Sequence, residues 1–166
     1  MNQHSAGENW RGVRLTKLGR QQEQAWELYV HSHALLERAL DAELRAAHGM
    51  SLLTLDALVQ LSRAPEQTLY MKDLAAALVY SASGITRVVD NLERAGHVTR
   101  NPDPANRRAT LVKLTAEGRA ALEEAWSPHV STVQRLFTRH VDDRQAKVLI
   151  EVFDAVVKDL EGSPEG

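Results

Sequence analysis

A chain of 166 residues, 43% hydrophobic and 25% charged, is long enough for one domain with a real core and short for two. It carries a net charge of −2 and no cysteine, which excludes disulfides, thiolate zinc sites and cysteine-based redox sensing. No apolar stretch approaches the ~20 residues of a membrane span, and the polar, then basic N-terminus lacks an apolar signal core, so a cytoplasmic protein with no membrane partner is expected.

Residues 21–47 have helical periodicity: Trp26, Tyr29, His33, Leu36, Leu40 and Leu44 recur at spacings of three and four, and Gly49 is a stop signal. Such a helix is roughly 40 Å long at about 1.5 Å per residue. A second helix follows the N-cap Ser51, with Leu52, Leu55, Leu58 and Val59 inward, and ends before Pro65. Residues 68–71 have the makings of a minimal strand. Residues 72–78 form a short Ala-rich helix with Asp73 in its first turn. After a break at Val79, Tyr80 and Ser81, residues 82–95 form another helix, capped by Ser81 and stopped by Gly96. Two short helices joined by three or four residues make a helix-turn-helix.

The period then changes. Residues 97–101 and 109–114 alternate as strands around a turn-rich segment, Pro102 to Arg108, that ends in adjacent arginines. This is a β-hairpin with a basic tip. Between Arg94 and Arg119 six Lys/Arg stand against two Asp/Glu, a compact basic segment on a slightly acidic chain. Thr115 caps a long helix running toward His140, with a bend or restart expected at Ser127-Pro128. Asp142 and Gln145 form a capping box for a last helix loaded with Ala146, Leu149, Ile150, Phe153, Val156, Val157 and Leu160. Disorder is expected after Glu161.

These elements define a mainly α fold: a winged helix-turn-helix with long N- and C-terminal dimerisation helices and a small β-hairpin wing. One domain, 1–166, divides into helices at about 12–48 and 120–160 and a DNA-binding lobe at about 51–118. The terminal helices are too apolar on too many faces for a monomer's surface, which points to a homodimer through about 12–40 and 142–160.

The expected partner is double-stranded DNA. A helix fits the major groove and reaches base edges with its first turns, where Ser81, Ala82, Ser83, Gly84, Thr86 and Arg87 stand. Small groups allow close approach, and Arg87 has the reach for phosphate or guanine; its structural alternative is a pairing with Asp90 or Asp56. Ser81 is a helix cap first and a DNA contact second. Ile85, Val88, Val89 and Leu92 face the protein. The hairpin brings Arg107 and Arg108 toward a neighbouring minor groove; the bland alternative is a solvated tip. Arg11, Arg14, Lys17 and Arg20 read as a solvated arm before a DNA-backbone contact. His33 reads first as a satisfied core histidine, and Trp26 as core or dimer packing before a sensor. No cofactor motif, metal-ligand spacing or nucleophile–base pair is present in the sequence, so neither an enzyme, a cofactor nor a metal is expected.

The order helix, helix, helix-turn-helix, basic hairpin, two long helices resembles the MarR family of bacterial transcriptional regulators. Asn106-Arg107-Arg108 followed by Leu114-Thr115 and Gly118 resembles that family's wing signature. Leu74-Ala75, Ser81 to Arg87, Val89, Leu92 to Gly96 and Val98 are similar to its helix-turn-helix block, and the likeness covers about residues 20–160. Two positions depart from the pattern. Asn106 replaces the usual Asp that orients the wing arginine, which predicts a looser wing, and Ala82 stands where relatives often carry a polar or basic residue. The resemblance implies a homodimeric regulator, with repression the expected sign, on a pseudopalindromic operator. It further implies release by a small, often anionic aromatic effector, with Trp26, His33, Asp56 and Arg87 as the expected lining. The second reading is a non-sensory architectural or protein-interaction module of the same fold.

Overall fold

A computed structural model describes residues 18–79, 82–106 and 108–162. The chain divides into two compact units within its first helix, one ending at Glu37 and the other starting at Arg38.

That helix, α1, spans Arg20–His48. Its part in the first unit is solvent-exposed along the apolar stripe: Trp26 is 53% exposed, and Leu28, Tyr29, Val30 and Leu35 are open too. Here the expectation of a core histidine fails. The His33 side chain is 66% exposed, its ring stacks at 6.1 Å on Tyr29, and Nε2 lies 3.9 Å from Glu37. Among the described residues, the apolar period of this part of α1 is therefore not matched by burial.

In the second unit, α1 ends at Gly49, whose φ of +62° ends the helix in the left-handed region. α2, Leu52–Arg63, begins where Ser51 Oγ accepts the Thr54 N–H at 3.1 Å. Asp41 accepts the Leu52 N–H at 2.9 Å and binds Arg45 at 2.6 Å. The Arg45 hydrogen bond first, and the Leu52 amide second, hold the Asp41 carboxyl below its ordinary pKa. A short strand, β1 (Thr68–Tyr70), leads directly into α3 (Met71–Ala77), and α4 follows at Ala82–Arg94. β2 (Val98–Pro102) and β3 (Thr110–Leu114) form the hairpin. The minimal strand at Thr68 is real: it pairs antiparallel with β3, giving the order β1-β3-β2 with Leu69 opposite Val112 and Arg100 opposite Val112 on the other side.

The core forms where α2, α3 and α4 cover this sheet. Leu55, Leu58, Leu61, Leu74, Ile85 and Val112 are essentially inaccessible. Each such side chain contributes about 1.5–3 kcal/mol by leaving water. All four expected inward residues of α4, Ile85, Val88, Val89 and Leu92, are buried; on α2, Leu55 and Leu58 are buried while Leu52 and Val59 pack partly covered against them.

α5 runs Ala116–Leu136 as one element through Pro128. The expected restart at Ser127-Pro128 does not occur. Pro128 removes only one backbone donor, and buried Leu122, Ala125 and Thr132 anchor the helix on both sides of it. Thr132 and Arg135 both donate to Glu43 of α1, and these bonds lower the Glu43 pKa, Thr132 contributing most. A single 3-10 turn, Thr138–His140, leads to α6, Asp143–Gly162. Its capping box is reciprocal: Gln145 N–H donates to Asp142 Oδ1 at 2.8 Å, and Asp142 N–H donates to Gln145 Oε1 at 2.9 Å. α6 continues past Glu161 to Gly162; the rest of the expected disordered tail lies outside the described residues, as do Arg11, Arg14 and Lys17. None of α6 is buried, although Val148, Ile150, Phe153, Val156, Val157 and Leu160 lie on it.

Candidate nucleic-acid interface

α3 and α4 are the helix-turn-helix, and α4 is strongly two-faced. Its apolar side is locked into the core, while Thr86 and Arg87 lie exposed near its start and Gly84 is half-covered. Of the other expected contacts, Ala82 starts α4, Ser83 follows it in the helix, and Ser81 lies outside the described residues. At its far end, Gly96 adopts a φ of +77°, and His97 N–H closes back onto Leu92 O at 2.9 Å. This left-handed cap turns the chain from the helix into the hairpin.

Arg87 is not held by either expected acid. Asp90 binds Arg100 of β2 instead, at 2.6 Å from Nη2. The same guanidinium donates to Thr86 O at 3.2 Å, and its Nε lies 3.7 Å from Glu93. The Arg100 backbone N–H also meets Glu93, at 3.3 Å. β2 is an edge strand, so Glu93 covers a backbone donor that would otherwise face outward. Arg100 was not anticipated from sequence; the available signal was the acidic pair Asp90 and Glu93, one turn apart on α4 and facing a lone strand arginine.

The wing loop is built around Asp103, which is 9% exposed. Its Oδ2 accepts the Tyr70 hydroxyl at 2.9 Å, its Oδ1 accepts the Ala105 N–H at 2.9 Å, and its backbone N–H donates to Ala109 O at 3.1 Å. The Asp103 hydrogen bond, then its charge, raise the Tyr70 pKa above the ordinary tyrosine value. Asn106 Oδ1 accepts the Arg108 backbone N–H at 3.2 Å, a local turn that asparagine forms without a charge. Arg108 is exposed beside this turn, and Arg107 lies outside the described residues.

A cavity of about 700 Å³ flanks α4, lined among others by Arg45, His48, Ser51, Arg87, Arg94 and His97, with no carboxylate among the described residues of its wall. Of the four expected effector contacts, Arg87 belongs to this wall and Asp56 to α2. Asp56 is exposed by area, yet the protein packed around its carboxyl pushes its pKa up, opposed by the His129 charge. Trp26 and His33 lie in the first unit, where Trp26, Tyr29 and His33 form a ladder of rings at 5.9 and 6.1 Å. Among the described residues, no cluster of His, Asp or Glu is arranged to hold a metal ion, and no helix is long and apolar enough to cross a membrane.

A helix-turn-helix whose second helix is continuous with a basic antiparallel hairpin is a winged helix-turn-helix. Residues 48–109 match the family model described as the MarR family. The fold is shared with Sco3205, a MarR family transcriptional regulator from Streptomyces coelicolor solved in complex with DNA; it is 29% identical, with 86% of this chain and 89% of that one covered and a TM-score of 0.82. AbsC from the same organism, 24% identical over 91% of this chain and all of its own, has the same fold at a TM-score of 0.82. The HTH-type transcriptional repressor YetL of Bacillus subtilis is 29% identical over 119 residues, 69% of this chain and 71% of YetL. Other curated relatives match over shorter spans, 56% of YkoM of B. subtilis and 63% of a Bacillus cereus regulator. Over residues 48–109 the chain is similar to the MarR family, and its fold is that of MarR family regulators.

Proposed function

We propose that the protein is a homodimeric, DNA-binding transcriptional repressor that acts in the cytoplasm. The observation that carries this reading is the exposed start of α4, with Thr86 and Arg87 outward, joined through Arg100 to the strand that leads into the Arg108 wing. Ser81, Ala82, Ser83 and Gly84 complete the proposed major-groove surface, and Asn106, Arg107 and Arg108 the proposed minor-groove contact. Sco3205 bound to DNA and the named repressor YetL support the same reading.

The dimer is supported by helix faces that a monomer leaves in water. α6 has no buried residue, although Ile150 and Leu160 are 67% and 73% exposed. Burying such side chains between two copies contributes roughly 25 cal/mol per Å² of apolar area. A twofold dimer offers two recognition helices about 34 Å apart, which defines a pseudopalindromic operator.

Release by a small anionic aromatic effector is supported by the cation-lined cavity against α4. An anion there would interact with Arg87, Arg94 and His97 on and just beyond the recognition helix. Any difference in its affinity between DNA-competent and incompetent arrangements is the coupling free energy. Asp56, Trp26 and His33 remain the other proposed contacts.

The dimer reading is tested by titrating a labelled duplex that carries a full palindrome against one that carries a single half-site. The full site is expected to bind at least a hundredfold more tightly, with a stoichiometry of two chains per duplex. Equal affinity for the two duplexes contradicts it.

A further inference from the structure

We propose that Arg100 is a positioning residue that makes the recognition helix and the wing a single reading head, so that Arg108 acts on DNA only while Arg100 is seated on α4. The inference rests on the DNA-binding reading above.

The base of the hairpin is held in the core by Val98, Val112 and Leu114, whereas its outer part is less supported. β2 is an edge strand, and the wing loop beyond it is fixed mainly through Asp103, which ties to Tyr70 of β1 and to its own loop. These bonds shape the loop; none of them reaches α4. Beyond that apolar base, the polar connection from β2 to the exposed side of the helix falls to Arg100, which makes three kinds of contact there: with the Asp90 carboxylate at 2.6 Å, with Glu93 at 3.7 Å, and with the Thr86 carbonyl at 3.2 Å. A planar guanidinium holds several acceptors at fixed angles, which a lysine ammonium does not. Its side chain is 24% exposed, and its Nε is covered by protein without a hydrogen-bond acceptor, Glu93 standing at ion-pair distance only.

The location of these acceptors gives the device its meaning. Thr86 follows the first turn of α4 and adjoins Arg87, while Asp90 is one turn further on. Arg100 therefore grips the helix directly behind its proposed base-reading residues. Two residues along the strand lies Pro102, the last residue of β2 before the wing loop. A rotation of the hairpin against α4 must break the Asp90 pair, uncover the Arg100 guanidinium and strip Glu93 from the strand's outward amide. Two contacts presented by one rigid body bind with the second already at high effective concentration; once the hairpin pivots, that advantage is lost.

The test combines two readouts on the full-length protein. In the free protein, Arg100→Leu and the shape-conserving Asp90→Asn are expected to speed amide hydrogen exchange in β2 and β3 at least tenfold while leaving α2 and α5 unchanged. On DNA, Arg100→Leu is expected to weaken binding about tenfold in the wild-type background but less than twofold in an Arg108→Ala background, because the wing contact it positions is already gone. Arg100→Lys should recover only part of the loss. Unchanged exchange in the hairpin, or losses that multiply in the double variant, would overturn the proposal. Failure of the wild-type protein to bind any duplex sinks the DNA-binding reading instead, and the exchange measurement still decides whether Arg100 holds the hairpin to α4.

Discussion

Gly118→Ala is expected to destabilise the protein by at least about 3 kcal/mol, at the upper end of what overpacking a tight contact costs. A Cβ at this position would lie 2.1 Å from the His97 carbonyl oxygen and 2.9 Å from both the His97 carbonyl carbon and Leu114 Cδ1. The clash is with backbone, so no rotamer change relieves it. The start of α5, the turn between α4 and β2, and the end of β3 meet there. Thr115 Oγ1 accepts the Gly118 N–H at 3.0 Å and donates to Gly96 O at 2.7 Å, and the Thr115 N–H donates to His97 O at 3.0 Å. Pushing α5 away therefore strains its own N-cap and the turn between α4 and β2 together. For a chain of this size the loss amounts to a fall of roughly 6–12 °C in Tm, read by thermal unfolding at fixed protein concentration. Gly162→Ala, with nothing within 4 Å of the new Cβ, is the control and should leave Tm within a degree or so of wild type. A Gly118→Ala protein that melts with the wild type would show that α5 does not sit this tightly on the hairpin base.

The second large effect concerns DNA. Replacing Arg87 with Ala is expected to weaken binding to a selected operator by about ten- to a hundredfold, the value of one good arginine contact to a base edge. Non-cognate duplex should lose much less, since the phosphate contacts remain. Arg108→Ala should lose a comparable factor on sites with A·T-rich flanks, where a narrow minor groove concentrates negative potential, and less on G·C-rich flanks. Both residues are exposed and neither is packed in the core, so stability should not change. Fluorescence anisotropy titrations at one salt concentration measure all four combinations. A uniform loss across cognate and non-cognate DNA for Arg87→Ala would make it a phosphate contact and remove it from sequence reading.

Much of this architecture was legible because its signals are local. Ser51, Thr115 and the Asp142–Gln145 box work over three residues, and the structure shows the hydrogen bonds each implies. The α4 periodicity identified all four buried residues, because one helix face decides burial wherever a core is present. What escaped depends on distant partners. Thr68–Tyr70 was readable as a strand, but its pairing with β3, more than forty residues on, was not. Arg100 gains its meaning from Asp90 and Glu93 across the turn at Gly96. His33 was misread for the same reason: the stripe that carries it is apolar by period, yet exposed within its own unit. The wing signature was readable as a likeness, while its chemistry was not. Asp103 organises the loop with Asn106 in support, and Gly118 is required by a carbonyl contact twenty-one residues back in sequence.

The most direct measurement is the salt dependence of binding by the wild-type protein to two duplexes, one recovered by selection from random sequence and one with its bases shuffled. A sequence-reading dimer should prefer the selected duplex by a factor of about a thousand or more at physiological salt. Both affinities should fall as salt rises, because both release counterions. Indistinguishable affinities at every salt concentration would contradict the account and leave a winged-helix protein that coats DNA without reading it.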